Sequence, residues 1–353
     1  MSIIYENNDL LKVESRSVIP DYVMSFSEAA LYVAESINAD YNSLMESIGI
    51  EELAVFESTG MEIVYEGERL NNFKEGVIKF FQRAWKAIKG FFEKILGWFE
   101  EKRKESVRKF GAKISAADLS KLPDGTKLGK IGRYGNFEDV ARKISGNTDG
   151  FLKSVDSKFK DICRNYDELN KKRDYEKDEK SEVHEAAKEA KEKFMNNIFK
   201  DTTGYSVNSM DELRKAINTE LYESDVEVDK SNIKYYLKEM IDVVIDGKAN
   251  KTIKEMYKGS KKMIDDAISR AKKYDGSRVL ASKEEISIYR EALSINNAVK
   301  GTIMNLYKKQ YAEYRVVLVK IYTKIGKIKA TNESVEQTVV ESQISLVESI
   351  LNF

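Results

Sequence analysis

An all-α architecture, an elongated multi-helix bundle with helical N- and C-terminal arms, is the fold class that this sequence predicts. Only two prolines, Pro20 and Pro123, interrupt 353 residues. Proline lacks a backbone donor and breaks helices, so its scarcity leaves long helices unobstructed. Charged residues make up 33% of the chain, and Lys, Glu, Ala, Leu and Ile recur at spacings of three or four, the helical period. The length suffices for a substantial core, in two domains or in one helical body with arms.

The N-terminal segment, residues 1–70, reads as an acidic helical arm. The net charge of zero over the whole chain hides a segregation: Lys12 and Arg16 oppose thirteen Asp and Glu in residues 1–66, a net charge of −11. The remainder carries +11. Such asymmetry points to separable segments or a polyanionic partner. Within the arm, Glu35-Ser36, Glu46-Ser47 and Glu57-Ser58 recur every eleven residues, preceded by Val33, Leu44 and Val55. Eleven residues are about three helical turns, so the repeat stacks similar side chains on one face. Ser25-Phe26-Ser27-Glu28 has the form of a capping box that starts this helix.

Residues 71–121 follow as a basic, aromatic, amphipathic helix. At about 100° per residue, the apolar side chains from Phe73 to Phe99 fall within an arc of about 160°. Phe73, Phe80, Phe81, Trp85, Phe91, Phe92, Trp98 and Phe99 form its aromatic part. Lys79, Arg83, Lys86, Lys89 and Lys94 lie on the opposite side. Each large apolar side chain gains about 1.5–3 kcal/mol on burial, so this face must be covered. One reading makes it the spine of a bundle. The other makes it an interfacial helix, because a basic face behind an apolar one suits an anionic membrane.

Leu122-Pro123-Asp124-Gly125 through Gly129, Gly132 and Gly135 reads as a Gly- and Pro-containing linker, 122–136, and as a domain boundary. Residues 137–330 then read as a helical bundle. Val183, Ala187, Ala190, Phe194 and Ile198 step by three or four, Ile233–Ile245 and Ile253–Ala271 show similar patterns, and Val226–Val228 is a short extended candidate. Ser282-Lys283-Glu284-Glu285 has the form of another capping box, ahead of a seam through Ala292, Ile295, Val299, Ile303 and Leu306 that continues from Tyr314 to Ile328. Its spacing fits bundle or coiled-coil packing. Residues 331–353, with four Glu and no Lys or Arg, read as an acidic C-terminal helix.

No reaction is legible, and the expectation is a chain that is not an enzyme and uses no cofactor. The single histidine, His184, lies among glutamates without the several Cys or His ligands of a zinc site. Cys163 is the only cysteine, which excludes an intramolecular disulfide and fits folding in cytoplasm. Gly129 to Gly135 lacks the Gly-Lys-Ser/Thr ending of a phosphate loop. No carboxylate pair stands out as a general acid and base, and no small-molecule substrate is indicated. No window approaches the roughly 20 apolar residues of a membrane span, and no secretory signal is apparent.

The acidic leader followed by the run from Phe73-Lys74-Glu75-Gly76 through Phe80-Phe81-Gln82-Arg83-Ala84-Trp85 to Gly90-Phe91-Phe92 resembles virion structural proteins of large tailed bacteriophages, particularly internal head proteins. The resemblance covers chiefly residues 1–105. It implies a leader cut during head maturation after an apolar-x-Glu sequence, a form that fits Glu46, Glu57 and Glu66 among others. It also implies synthesis in the host cytoplasm, residence in the virion, and contacts with other virion proteins, with further copies of itself, or with DNA. Loss of residues 1–66 leaves a body of +11, suited to phosphate neutralisation without base-specific contacts. On these expectations Lys79, Arg83, Lys86, Lys89 and Lys94 face phosphate. The alternative is a membrane-active or pore-forming effector that uses the aromatic helix on an anionic membrane.

Overall fold

The structure, a computed structural model, describes residues 26–48, 68–170, 179–274 and 276–330. In chain order the helices are α1 (Phe26–Ile48), α2 (Glu68–Ser106), α3 (Ala112–Ser115), α4 (Phe137–Asn170), α5 (Glu179–Asn196), α6 (Ile198–Thr203), α7 (Met210–Leu221), α8 (Ile233–Val244), α9 (Lys248–Ala271) and α10 (Gly276–Ala330). A π-helical turn, Val107–Gly111, joins α2 to α3, and a 3-10 turn covers Leu119–Lys121. Two strands, β1 (Lys127–Tyr134) and β2 (Tyr222–Asp229), form one small antiparallel sheet. The all-α expectation therefore holds, with this sheet as its one addition among the described residues.

The 55-residue helix α10 organises the rest. At 1.5 Å per residue it is about 80 Å long, and α1, α4, α5, α7, α8 and β1 all pack on it. The seam read from the sequence lies where expected: Ala292, Ile295, Val299, Ile303, Tyr314, Leu318 and Ile321 are buried. Burial extends well beyond that seam. Between Ala281 and Tyr289 only Lys283 is exposed, so this part of α10 is enclosed on most sides. The helix starts at Gly276, so the supposed capping box at Ser282 lies inside it. Ser282 is buried there, and Glu284 accepts from Lys191 Nζ of α5 at 2.6 Å.

The segment 122–136 is not a flexible linker. Lys127 to Tyr134 is a strand, paired with β2 so that Ile131 faces Val226 and Gly132 faces Asp225. Its glycines serve close approach. A Cβ on Gly132 would stand 3.0 Å from the Tyr134 ring and 3.2 Å from a Glu313 carboxylate oxygen, and the Gly132 amide donates to that carboxylate at 2.5 Å. Gly129 has φ of 132°, a conformation that L side chains rarely adopt. Gln310 Nε2 donates to the Tyr134 carbonyl at 2.9 Å, which completes the seating of β1 on α10. Nor does a domain boundary fall here: the buried core runs from Phe99 and Phe110 through Leu128 and Ile131 to Phe137 without a break. The extended candidate at Val226–Val228 lies within β2.

Of the acidic arm, α1 is described, with Val33, Ile37, Tyr41 and Leu44 buried against α2 and α10. Val33 and Leu44, the apolar members of the eleven-residue repeat, thus share the inner face. Val55, Ser25 and the proposed C-terminal helix at 331–353 lie outside the described residues.

Truncation of Phe92, fully buried between α2 and α9 against Tyr257, tests the packing. Phe92→Ala should cost about 3–5 kcal/mol in urea unfolding, whereas Lys86→Ala on the exposed side should change it by less than about 0.5 kcal/mol.

Candidate functional site

The outer face of α2 is built by the same periodicity that builds its inner face. Phe73, Phe80, Phe81, Phe91, Phe92 and Phe99 are all buried. Trp85 and Trp98, at the two margins of the apolar arc, are half-buried. Their partners are the chain's own rings. Phe73 stacks on Tyr274 at 6.2 Å, Trp85 meets Tyr257 at 5.2 Å, and Phe99 meets Tyr311 at 5.4 Å. Trp98 packs edge-on to Tyr311 at 5.7 Å and lies under the Lys308 amine. The face expected to meet a membrane or partner is therefore occupied by α1, α9 and α10. No described helix is long and apolar enough to cross a membrane.

With the apolar arc fixed inward, the cations are fixed outward. Lys79, Arg83, Lys86, Lys89 and Lys94 are all exposed. Lys79 pairs with Glu75 at 3.4 Å and Lys89 with Glu93 at 3.6 Å, both one turn apart on α2. Solvent-exposed pairs of this kind hold little energy and yield readily to a stronger anion. Arg83 alone of the five reaches α1, at 3.5 Å from Asp40. Burial raises the Asp40 carboxyl above its usual range, and Arg83 opposes that rise. An open cleft of about 380 Å³ lies beside this pair, lined by Ser43, Asn72 and Lys79 among others.

Among the described residues, ion pairing between the acidic α1 and these cations is thus confined to one contact. The acidic α1 sequence covers apolar surface: Tyr41 packs edge-on to Phe80 at 6.3 Å, and a Cβ on Gly76 would stand 3.1 Å from Leu44. Of the expected cleavage positions, Glu46 lies in the last turn of α1, and Glu57 and Glu66 lie outside the described residues.

Among the described residues no catalytic constellation emerges. Cys163 is buried in α4 and His184 lies on α5. Among the described residues no group of three metal-binding side chains occurs. The unusual titratable group is Lys300 on α10, which sequence reasoning missed. It is 1% exposed, and its Nζ donates to Ser260 Oγ of α9 at 2.7 Å. Burial lowers its pKa to about 7. A signal existed in the sequence: the positions three and four away are Asn296, Asn297, Ile303 and Met304, with no carboxylate one turn off in either direction.

No family model matches the chain, and no curated protein or solved structure matches it either.

The buried amine has a measurable consequence. The unfolded chain holds this proton up to the ordinary lysine range, while the folded protein releases it near pH 7. Between these limits the unfolded state binds more protons, so stability rises with pH. The full contribution is present above the unfolded pKa and is lost as pH falls to about 7. At about 1.4 kcal/mol per pH unit, the gain between pH 7 and 10 is on the order of 4 kcal/mol. Urea unfolding should show this rise, and Lys300→Met should be more stable at pH 7 and flatten the profile.

Proposed function

We propose that the protein is a non-enzymatic structural component of a phage particle, an internal head protein that lies against packaged DNA through the outer face of α2. The observation that carries this reading is the fixed outward display of Lys79, Arg83, Lys86, Lys89 and Lys94 on a helix whose apolar side is buried in the body. A rigid row of cations neutralises phosphate without reading bases. The absence of a catalytic arrangement among the described residues is compatible with this role but does not carry it. A membrane-active role for the same helix requires α2 to leave its core, since the aromatic side chains that would enter lipid are already packed.

Processing fits the same reading in altered form. The α1 sequence carries four acidic residues and no basic one, yet it is held by Val33, Ile37, Tyr41 and Leu44. Burial of four such side chains contributes roughly 6–12 kcal/mol before entropy is subtracted. A cut after Glu57 or Glu66 severs the chain but leaves these contacts in place. The cleaved segment should therefore co-elute with the body in native size-exclusion chromatography and separate only in denaturant. Elution of a free N-terminal fragment would contradict the packing of α1.

For DNA binding, the test is the full-length chain on random-sequence duplex at several salt concentrations. Binding should weaken steeply with salt and show no sequence preference. Lys86→Glu with Lys94→Glu should lower affinity at low salt and reduce the log-log salt slope by about 2. Absence of wild-type binding at low salt, or an unchanged slope in the double variant, would overturn the α2 assignment.

A further inference from the structure

We propose that α9 supplies a second row of lysines which, with α2, forms one two-ridged surface for duplex DNA, an inference that rests on the DNA-binding reading of α2. Helices α2 and α9 pack antiparallel along nearly all of α9. Phe73 meets Tyr274, Trp85 and Phe92 meet Tyr257, and Asn250 donates to Glu100 at 2.7 Å. These contacts fix which side of each helix faces out.

On α9 the inward side carries Ile253, Met256, Ser260, Met263 and Ile264. The outward side carries Lys251, Lys254, Lys258, Lys261 and Lys262, all exposed. From Lys251 through Lys254 and Lys258 to Lys261, steps of three and four at 1.5 Å per residue place successive lysines about 4.5–6 Å apart along the axis. On α2, the angular step of 100° from Trp85 puts Lys89 and then Lys86 on the flank turned toward α9. Packed helix axes lie about 8–10 Å apart, so the two rows run side by side.

The balance of charge favours a polyanion. Among the described side chains, α2 and α9 expose twelve Lys and Arg against five Asp and Glu. Five of those lysines are engaged by carboxylates about one turn away on their own helix, Lys79, Lys89, Lys104, Lys258 and Lys261, and Lys262 is 3.9 Å from Asp149 of α4. Lys86 and Lys94 form no ion pair among the described residues. In contrast, the outer edge of the sheet is acidic, with Glu223, Asp225 and Glu227 along β2.

The surface also selects between anionic partners. Interfacial helices hold lipid by inserting apolar side chains beside their cations. The exposed large apolar residues of the described chain are Tyr32, Val107, Tyr222 and Tyr235, none of them on α9 or on the outer face of α2. A rigid pair of cationic ridges, with Trp85 and Tyr257 held against each other in the seam between them rather than projecting, suits the phosphates of a duplex and lacks a wedge for a bilayer.

The test compares the full-length protein with Lys251→Gln, Lys258→Gln and Lys262→Gln combined on α9, and with the α2 double variant, on a random-sequence duplex. Circular dichroism and urea unfolding confirm that each variant folds. The α9 variant should lose at least about tenfold in affinity at low salt and reduce the salt slope by about 2–3, as expected for three phosphate contacts. An α9 variant that binds like wild type while the α2 variant is impaired overturns this inference and leaves the α2 assignment standing. Failure of the wild-type chain to bind duplex overturns both. Binding to phosphatidylcholine–phosphatidylglycerol vesicles without binding to duplex overturns the choice of DNA.

Discussion

Enclosure of α10 is the constraint on which the remaining structure depends. A helix buried along one stripe needs one neighbour, but a helix buried on most sides needs a complete jacket. Nearly every other described element contributes to it. The cost of such burial appears in its polar residues. Ser282, Glu285, Asn296, Asn297, Lys300 and Gln310 are all buried on α10, and a buried polar group without a partner costs more than a typical hydrogen bond contributes. Accordingly, Asn296 Nδ2 donates to Thr148 Oγ1 of α4 at 3.0 Å, and Gln310 donates to the backbone of β1. Partners on different elements tie the jacket to specific positions along the central helix.

The aromatic helix is understandable only within that jacket. Its apolar arc is wide enough to contact α1, α9 and α10 together, and burial fades toward the arc's margins, from fully covered Val77, Ile88 and Phe92 to half-covered Ile78, Trp85, Leu96 and Trp98. A detergent-like amphipathic composition and an ordinary core helix have the same periodicity. What separates them is whether the rest of the chain offers a surface that complements the arc, and here Tyr257, Tyr307 and Tyr311 do so.

Periodic features were therefore legible in the sequence, and pairings between distant segments were not. The α2 arc, the seam from Val183 along α5 to Ile198 at the start of α6, and the α10 seam all rest on spacings of three and four, and most of their residues are buried, with Phe194, Leu306 and Ile325 half-buried. The strand pair eluded the same reasoning because β1 is rich in glycine, and its partner lies beyond α4, α5, α6 and α7. Glycine signals a turn locally, while here it permits the sheet to approach α10. Ser282-Lys283-Glu284-Glu285 imitates a helix start because it has the capping-box spacing, whereas here Ser282, Glu284 and Glu285 are buried inside α10 and Glu284 pairs with Lys191. The lysines of α9 were visible as composition, but their alignment with α2 depends on a packing that no local pattern encodes.

Lys300 and Ser260 bear on that alignment. The apolar inner face of α9, with Ile253, Met256, Met263, Ile264 and Ala267, offers side chains of similar size at several positions, so hydrophobic contact alone discriminates weakly between registers. A slip of one residue turns a helix by about 100°. It would take Ser260 away from the Lys300 amine and leave a buried polar group without its partner, a far larger loss than the repacking of a methionine. The same slip would carry the exposed lysine row out of line with α2. Burial of the Lys300 amine thus lowers stability near neutral pH, where its charge is disfavoured, while its bond to Ser260 favours the one rotation of α9 that presents its lysines alongside those of α2.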